Sequence, residues 1–544
     1  MGWVRSSTRW GVRAVSCKGA AQGLTHTFRL PACTSVSART AVSEAPRPTA
    51  TDVSAGRPLR VCVVGSGPAG FYVTKYLLKE EAELGCEVTV DIVDRLPTPY
   101  GLVRFGVAPD HPEVKAVQND FDQVASDARV SFFGNVCFGK DMSAAQLSEL
   151  YDVVVLAYGA AGDRELTVPG ADLEGVFAAR AFVSWYNGHP DFAHMSEEFA
   201  KALASSDTVA VVGVGNVALD CARILAKGAN ALKDSDICDH ALDVLSSAGA
   251  GLRRVVILGR RGHVQASFTM KELRELTKLD GVACLVRQEE LELSRTPASL
   301  DELKTARPKN RIDALLTKVA DGSDSVSAEA KAVELRFLVG LSDVLPNNNI
   351  PKSRVGAVRV ERNRLELDEA TGAQRAIGSG DKEVIECGMV LGSIGYRCLP
   401  VQGVPYDERN SIIANERGRV QGVPGMYCSG WARRGPSGII GTNITDARSV
   451  VAAIVEDVSS KQLALGDKAE GRQGLTRILM GEQDGAPGRR ETGGTKKKIQ
   501  IVDWGGYQRI NRDEVARGAM KGKPREKFVD VEEMLSIATA VGDE

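Results

Sequence analysis

Short apolar runs that end in glycine punctuate this chain. Val61 to Val64 lead into Gly-Ser-Gly-Pro-Ala-Gly at 65–70, Val73, Tyr76 and Leu77 then recur at helical spacing, and Val88 to Val93 form a strand-like run before Asp94. Buried parallel strands joined by a crossover helix are expected from such an order. It returns mid-chain: Val209 to Val212, then Gly-Val-Gly-Asn-Val-Ala-Leu-Asp at 213–220, a helix striped by Val217, Cys221, Ile224 and Leu225, and a strand from Val255 to Leu258. Three more runs complete the pattern, Asp152 to Leu156 before Ala157-Tyr158-Gly159-Ala160, Met389 to Leu391 before Gly392-Ser393-Ile394-Gly395, and Met426 to Cys428 before Gly430-Trp431. The predicted class is α/β, with two Rossmann-like dinucleotide-binding domains, the second inserted into the first through crossings near 161 and 387.

In the first unit Gly65 permits a tight turn, Gly67 lets backbone approach a pyrophosphate, and Gly70 lets the helix pack closely on the strand. The helix start then offers unpaired N–H groups to phosphate. Asp94 stands where a carboxylate accepts hydrogen bonds from ribose hydroxyls. Glycine turns also occur without a ligand; the acid in register is what gives this one weight. In the second unit Gly213, Gly215 and Ala218 take the three turn positions, and the second strand ends in Gly259-Arg260-Arg261. A carboxylate there would repel a 2′-phosphate, whereas two guanidiniums grip it through charge-assisted hydrogen bonds. The units therefore read as an FAD site and an NADP(H) site, with hydride transfer between their redox rings as the expected chemistry.

Composition narrows the classes. The 544 residues, 43% hydrophobic and 25% charged, suit several globular units. A net charge of −2, from 68 basic and 70 acidic residues, argues against nucleic-acid binding. The 11 cysteines include no C-x-x-C and no clustered quartet, so no dithiol and no iron–sulfur cage is expected, and any iron–sulfur centre belongs to a partner. No window holds about 18 uninterrupted apolar residues, so the chain is expected to be soluble or at most peripheral to a membrane. Residues 1–43 contain Arg5, Arg9, Arg13, Lys18, Arg29 and Arg39 but no acid, a transit-peptide composition, and the mature chain is expected to begin between 44 and 58.

With these features the chain resembles the adrenodoxin-reductase-type ferredoxin–NADP reductases, a mitochondrial group within the glutathione-reductase-like flavoproteins. The motifs that carry the resemblance are VCVVGSGPAGFY, PYGLVRFGVAPDHPEVK, GNVALDCARIL, FTMKELRE, GWARRGPSGIIGT and GKPREKFVDVEEML, across 58–455 and 501–537. It implies FAD contacts at Ala69, Asp94, Leu102 and Val136, with Trp431, Gly438, Ile439 and Ile440 at the isoalloxazine. For NADP it implies Val214, Gly215, Asn216 and Val217 at the pyrophosphate, Arg260 and Arg261 at the 2′-phosphate, and Glu272 nearby. It makes His111 and Asp220 a polar pair near the flavin and candidates for a catalytic relay, the rival reading being a turn histidine and a helix-start acid that satisfies backbone donors. Arg307 and Arg311, within the basic cluster Lys304, Arg307, Lys309 and Arg311, would dock an acidic [2Fe–2S] ferredoxin; a solvated helix start is the plainer account of the same charges. The resemblance departs at Asp94, where members usually carry Glu, and at His263, where they generally carry Pro.

The expected organisation is a transit peptide and leader over 1–57, the FAD domain over 58–160 and 388–455, the NADP domain over 161–387, a flexible insertion over 456–500 including Lys496, Lys497 and Lys498, and a C-terminal tail of the FAD domain over 501–544. The expected activity is NADPH:ferredoxin oxidoreduction by a monomer in the mitochondrial matrix, at most associated with the inner membrane. An FAD- and NADPH-dependent monooxygenase and a protein that keeps flavin as a structural element stay open. A disulfide reductase would need a dithiol beside the flavin, and the sequence has none.

Overall fold

Alternation along the strand Leu59–Val64 sends Val61 and Val63 into one apolar layer and Cys62 and Val64 into the opposite one, all buried, so past Arg60 the run has no polar position. This strand lies in a seven-stranded sheet ordered Asn415–Glu416, Arg419–Val420, Met426–Cys428, Val153–Leu156, Leu59–Val64, Val88–Val93, Val130–Phe133. The last five are parallel and the two edge pairings antiparallel. A wholly parallel six-stranded sheet follows, ordered Val176–Ala178, Met389–Gly392, Thr208–Val212, Arg254–Gly259, Ala332–Phe337, Ala283–Val286. A three-stranded antiparallel sheet, Val339–Pro346, Val355–Leu367 and Gln374–Glu386, closes one face of it through Val339, Val358 and Val360. This computed structural model describes residues 57–323, 327, 330–347, 354–463, 469–481, 489–492 and 495–540. The leader expected over 1–57, Arg57 excepted, lies outside the described residues.

In each sheet the strand order reverses beside the strand that feeds a glycine turn. Leu59–Val64 has Val88–Val93 on one side and Val153–Leu156 on the other; Thr208–Val212 has Arg254–Gly259 and Met389–Gly392. Crevices at the carboxyl ends of strands at such reversals are where open α/β sheets take ligands.

Two expectations are corrected. Met389–Gly392, expected to return the chain to the first sheet, pairs with Val176–Ala178 and Thr208–Val212 in the second. A short run that is apolar on both faces suits either sheet, and only its partners decide. The return comes later, where Tyr396–Arg397 runs antiparallel to the outgoing Gly162–Asp163. The stretch 456–500, expected as a flexible insertion, contains the helix Arg472–Met480, whose Leu475, Ile478 and Leu479 are buried in the first unit's core and whose Arg472 donates to Asp91 at 2.8 Å. Its apolar spacing is helical, but the Gly-, Lys- and Glu-rich surroundings hide it. Lys496, Lys497 and Lys498 fall on the strand Thr495–Lys498, antiparallel to Arg489–Thr492; 464–468, 482–488 and 493–494 lie outside the described residues.

The C-terminal segment fastens the units together. Its helices Trp504–Ala519 and Val531–Thr539 bury Tyr507, Ile510, Met534 and Leu535 in the first core. Lys527, on the link between them, reaches Asp236 of the second unit at 3.1 Å, and Lys115 of the first unit holds the same carboxylate at 2.6 Å. Burial works against the Asp236 carboxylate, but Lys527 and Lys115 outweigh it and hold its carboxyl well below the usual range. A group depressed in the folded state contributes stability that is complete above its unfolded pKa and lost as pH falls through the folded one. The midpoint of urea unfolding should therefore drop below about pH 4. Asp236→Asn, with nothing to titrate there, should show a shallower acid slope, and equal slopes would exclude this clamp as a source of acid lability.

Candidate functional site

At the end of Leu59–Val64 the chain turns through Gly65 at φ +108°, and a Cβ there would lie 2.6 Å from the carbonyl oxygen of Ala157, across the sheet's reversal point. Only glycine can close this turn over the crevice. A Cβ on Gly70 would lie 2.0 Å from the Gly65 carbonyl oxygen, whereas nothing stands within 4 Å of one on Gly67, at the start of the helix Pro68–Leu77. Tyr100, at φ +82°, donates its N–H to Ser66 O at 2.9 Å and folds its loop over the turn, a strained conformation that tertiary contacts must hold. On the other side Gly430 packs against Ala69. Asp94 accepts from the Ser66 N–H at 2.9 Å, the Ser66 hydroxyl and the Leu96 N–H at 3.0 Å, so the expected ribose acid also braces the turn. Among the described residues the N–H groups of Gly67 and Ala69 have no protein acceptor.

Apolar surface is left open along this path: Leu102 is 38% exposed and Ile439 63%. Val136 differs, since its side chain is buried and its N–H donates to Asp94 O at 2.8 Å, leaving backbone alone beside the acid. Trp431 is half-buried, with its ring 5.6 Å from that of Tyr396. After Gly438 the Ile439 N–H is taken, because Thr442 Oγ1 reaches back to accept it at 3.1 Å. The N–H groups of Ile440 and Gly441, just before the helix Thr442–Ser459, have no protein acceptor among the described residues.

The second turn repeats the geometry. Gly213 has φ +131°, and a Cβ on it would lie 2.1 Å from the carbonyl oxygen of Ser393, again across the reversal point. The N–H groups of Val214 and Gly215 have no protein acceptor among the described residues. The Asn216 side chain is occupied, accepting the Thr269 N–H at 2.8 Å, while Val217 packs on the second core. Beyond Gly259, the Arg260 carbonyl accepts from Asn363 at 2.8 Å and the Arg261 carbonyl from the Leu338 N–H at 3.1 Å. Neither guanidinium has a carboxylate partner among the described residues, unlike Arg223, Arg287, Arg295 and Arg336. Glu272, half-buried on the helix Met270–Leu276, keeps one shielded carboxylate oxygen without a hydrogen bond.

His111 and Asp220, expected as a pair, share one cluster but bond elsewhere. His111 Nε2 lies 2.7 Å from Glu275, and Asp220 accepts from Arg223 at 2.5 Å. Arg223 also holds Asp110 through two bonds, at 2.9 and 3.0 Å, and Lys227 adds a third at 2.7 Å. Burial pushes the Asp220 carboxyl up despite Arg223, whereas Arg223 and Lys227 overcome burial and hold Asp110 well below the usual range. The ligand atoms of Asp110, His111 and Glu275 lie close together, but with Arg223 and Lys227 already on them they form an ion-pair network rather than a cation site. Glu275 closes the FTMKELRE motif but was assigned no role there; by pattern it is one more acid on an amphipathic helix. The network joins the first unit to the helix after the second turn. Burial raises the Tyr396 phenol, with the charges of Cys221, Asp163 and Asp220 adding to it.

Arg307 and Arg311 lie one turn apart on the helix Arg307–Ser323, exposed and without a carboxylate partner among the described residues. Lys304 and Lys309, by contrast, pair with Asp301 and Glu302.

Residues 59–337 match the pyridine nucleotide-disulphide oxidoreductase family. The chain is 42% identical over 498 residues to the mitochondrial NADPH:adrenodoxin oxidoreductase of Salvelinus fontinalis, covering 90% of this chain and 93% of that protein. It is also 42% identical over 495 residues to the Arabidopsis thaliana protein of that name, covering 89% and 96%. Among solved structures, Mycobacterium tuberculosis FprA in complex with NADPH matches with a TM-score of 0.77 at 35% identity, covering 89% of this chain and 100% of that one.

Proposed function

Since this chain belongs to the pyridine nucleotide-disulphide oxidoreductase family, we propose that it is an NADPH:ferredoxin oxidoreductase, with FAD at the first glycine turn and NADP(H) at the second. The observation that carries this reading is the repeated cradle: each turn presses a glycine against the chain across its sheet's reversal point and, among the described residues, leaves backbone N–H groups without an acceptor, and the second is followed by two guanidiniums without a carboxylate partner. The chemistry supplied by bound FAD is the conversion of a two-electron donor into one-electron transfers.

The residues divide the work. Gly67 and Ala69 offer N–H groups to the FAD pyrophosphate, Asp94 faces its ribose, and Leu102 and the backbone at Val136 border the adenine and flavin path. Trp431 and Ile439 wall the isoalloxazine, Gly438 leaves room for a second flat ring, and the N–H groups at Ile440 and Gly441 stabilise negative charge on the flavin edge. Val214 and Gly215, with the backbone of Asn216 and Val217, take the NADP pyrophosphate; Arg260 and Arg261 take the 2′-phosphate, and Glu272 stands beside them. His111 and Asp220 act as positioning groups, holding the two units in register through Glu275 and Arg223. Disulphide reduction does not fit, because burial raises the thiols around the first turn: Cys62 and Cys398 go up, and Cys428 is pushed up to about 12. Such thiols are poor nucleophiles at neutral pH.

Arg307 and Arg311 are the proposed dock for an acidic [2Fe–2S] ferredoxin, since two exposed charges on one helix face steer an anionic partner. NADPH-dependent cytochrome c reduction with and without added ferredoxin tests the function: a rate that ferredoxin does not raise would refute it. The ferredoxin-dependent rate should fall steeply with added salt, and Arg307→Glu with Arg311→Glu should lower it about tenfold at low salt. Full salt sensitivity in the double variant would move the dock elsewhere. The mitochondrial names of the relatives and the acid-free composition of 1–43 support a mitochondrial location. Among the described residues no helix is long and apolar enough to cross a membrane.

A further inference from the structure

The turn that carries Arg260 and Arg261 is anchored at both ends. Upstream, the two arginine carbonyls are held by Asn363 and Leu338. Downstream, Gly262 lies so close to Ser294 that a Cβ would come within 2.7 Å of the serine Cβ. His263 then begins the short turn His263–Gln265. It is 2% exposed, with its ring edge-on to Phe337 at 5.8 Å.

Its Nε2 lies 2.8 Å from Oδ1 of Asp313, on the helix Arg307–Ser323. The same oxygen accepts from Arg295 at 2.9 Å, so the acceptor is itself fixed. Nδ1 is buried and, among the described residues, has no hydrogen-bond partner. The neutral imidazole with its proton on Nε2 is thus the form that leaves no buried N–H unsatisfied, and burial favours that neutral form. Packing against Phe337 would need only the ring; the aimed Nε2 bond fixes where the ring, and the turn it begins, sits relative to the second sheet.

We propose that His263 is a positioning residue for the 2′-phosphate: by donating Nε2–H to Asp313 it holds the Arg260-Arg261 turn so that both guanidiniums face one phosphate, and it thereby sets the preference for a 2′-phosphorylated dinucleotide. This rests on the assignment of the second turn to NADP(H).

The test uses calorimetric titration of the FAD-loaded protein with 2′,5′-ADP and with 5′-AMP, fragments that differ in the 2′-phosphate. His263→Leu, which keeps bulk but lacks the donor, should weaken 2′,5′-ADP binding about tenfold and leave 5′-AMP binding as it was. His263→Gln, whose amide nitrogen reaches the position of Nε2, should restore most of the difference. His263→Asn, whose amide reaches only the position of Nδ1, should not. An unchanged ratio of the two affinities in His263→Leu, or equal rescue by Gln and Asn, would overturn the proposal. Should His263→Leu fail to fold, the comparison of Gln with Asn decides alone. Wild-type protein that does not tell the two fragments apart would instead overturn the NADP(H) assignment, separating that failure from this one.

Discussion

Gly70→Val should yield protein without flavin. The added Cβ would start 2.0 Å from the Gly65 carbonyl oxygen, and the obstacle is backbone. Overpacking against a mobile side chain costs about 1–3 kcal/mol; here the helix Pro68–Leu77 must lift from its strand. The turn has no slack to give, because Tyr100 and Asp94 grip Ser66 and Gly430 rests on Ala69. Lifting the helix carries the Gly67 and Ala69 N–H groups away from the crevice. The purified variant should lack flavin absorbance and should not recover it when FAD is added. Gly67→Ala is the informative companion. Its φ of −78° suits any residue and its Cβ meets nothing within 4 Å, so the apoprotein should melt as wild type does. The same methyl would occupy the space assigned to the pyrophosphate, so FAD affinity should nevertheless fall. Wild-type FAD affinity in Gly67→Ala would mean that the phosphates lie elsewhere.

Removing both guanidiniums at the second turn should have the next largest effect. Arg260 and Arg261 have no carboxylate partner among the described residues, so among these no acid competes with a phosphate for them and none is orphaned by their loss. A hydrogen bond to a charged group is worth about 1.5–3 kcal/mol. Arg260→Ala with Arg261→Ala should therefore lower kcat/KM for NADPH on the order of a hundredfold, through KM, and leave kcat/KM for NADH near its wild-type value. Equal losses with the two nucleotides would show that the arginines serve the fold or the pyrophosphate, and the basis for choosing a 2′-phosphorylated coenzyme would be gone.

Gly65, Gly70 and Gly213 were legible in the chain because a turn's backbone conformation and the closeness of its helix are set by residues a few positions apart. The positions of Asp94 and Arg260-Arg261 could be read for the same reason, each standing at the end of a strand whose run of apolar residues announces it. Sheet membership was not legible. Met389–Gly392 is apolar on both faces, and its place depended on Val176–Ala178 and Thr208–Val212, far away in the chain. Nor was the pairing of charges. Lys304, Arg307, Lys309 and Arg311 form one basic cluster in sequence, yet the two lysines pair with the nearby Asp301 and Glu302 while, among the described residues, neither arginine has a carboxylate partner. His111 meets Glu275, and Asp220 meets Arg223. Local geometry is decided by covalent neighbours and can be read from order alone. The partner of a charge or of a strand is decided by competition among groups that only the folded chain brings together, and this is why the cradles could be read in the sequence while the network joining the first unit to the helix after the second turn could not.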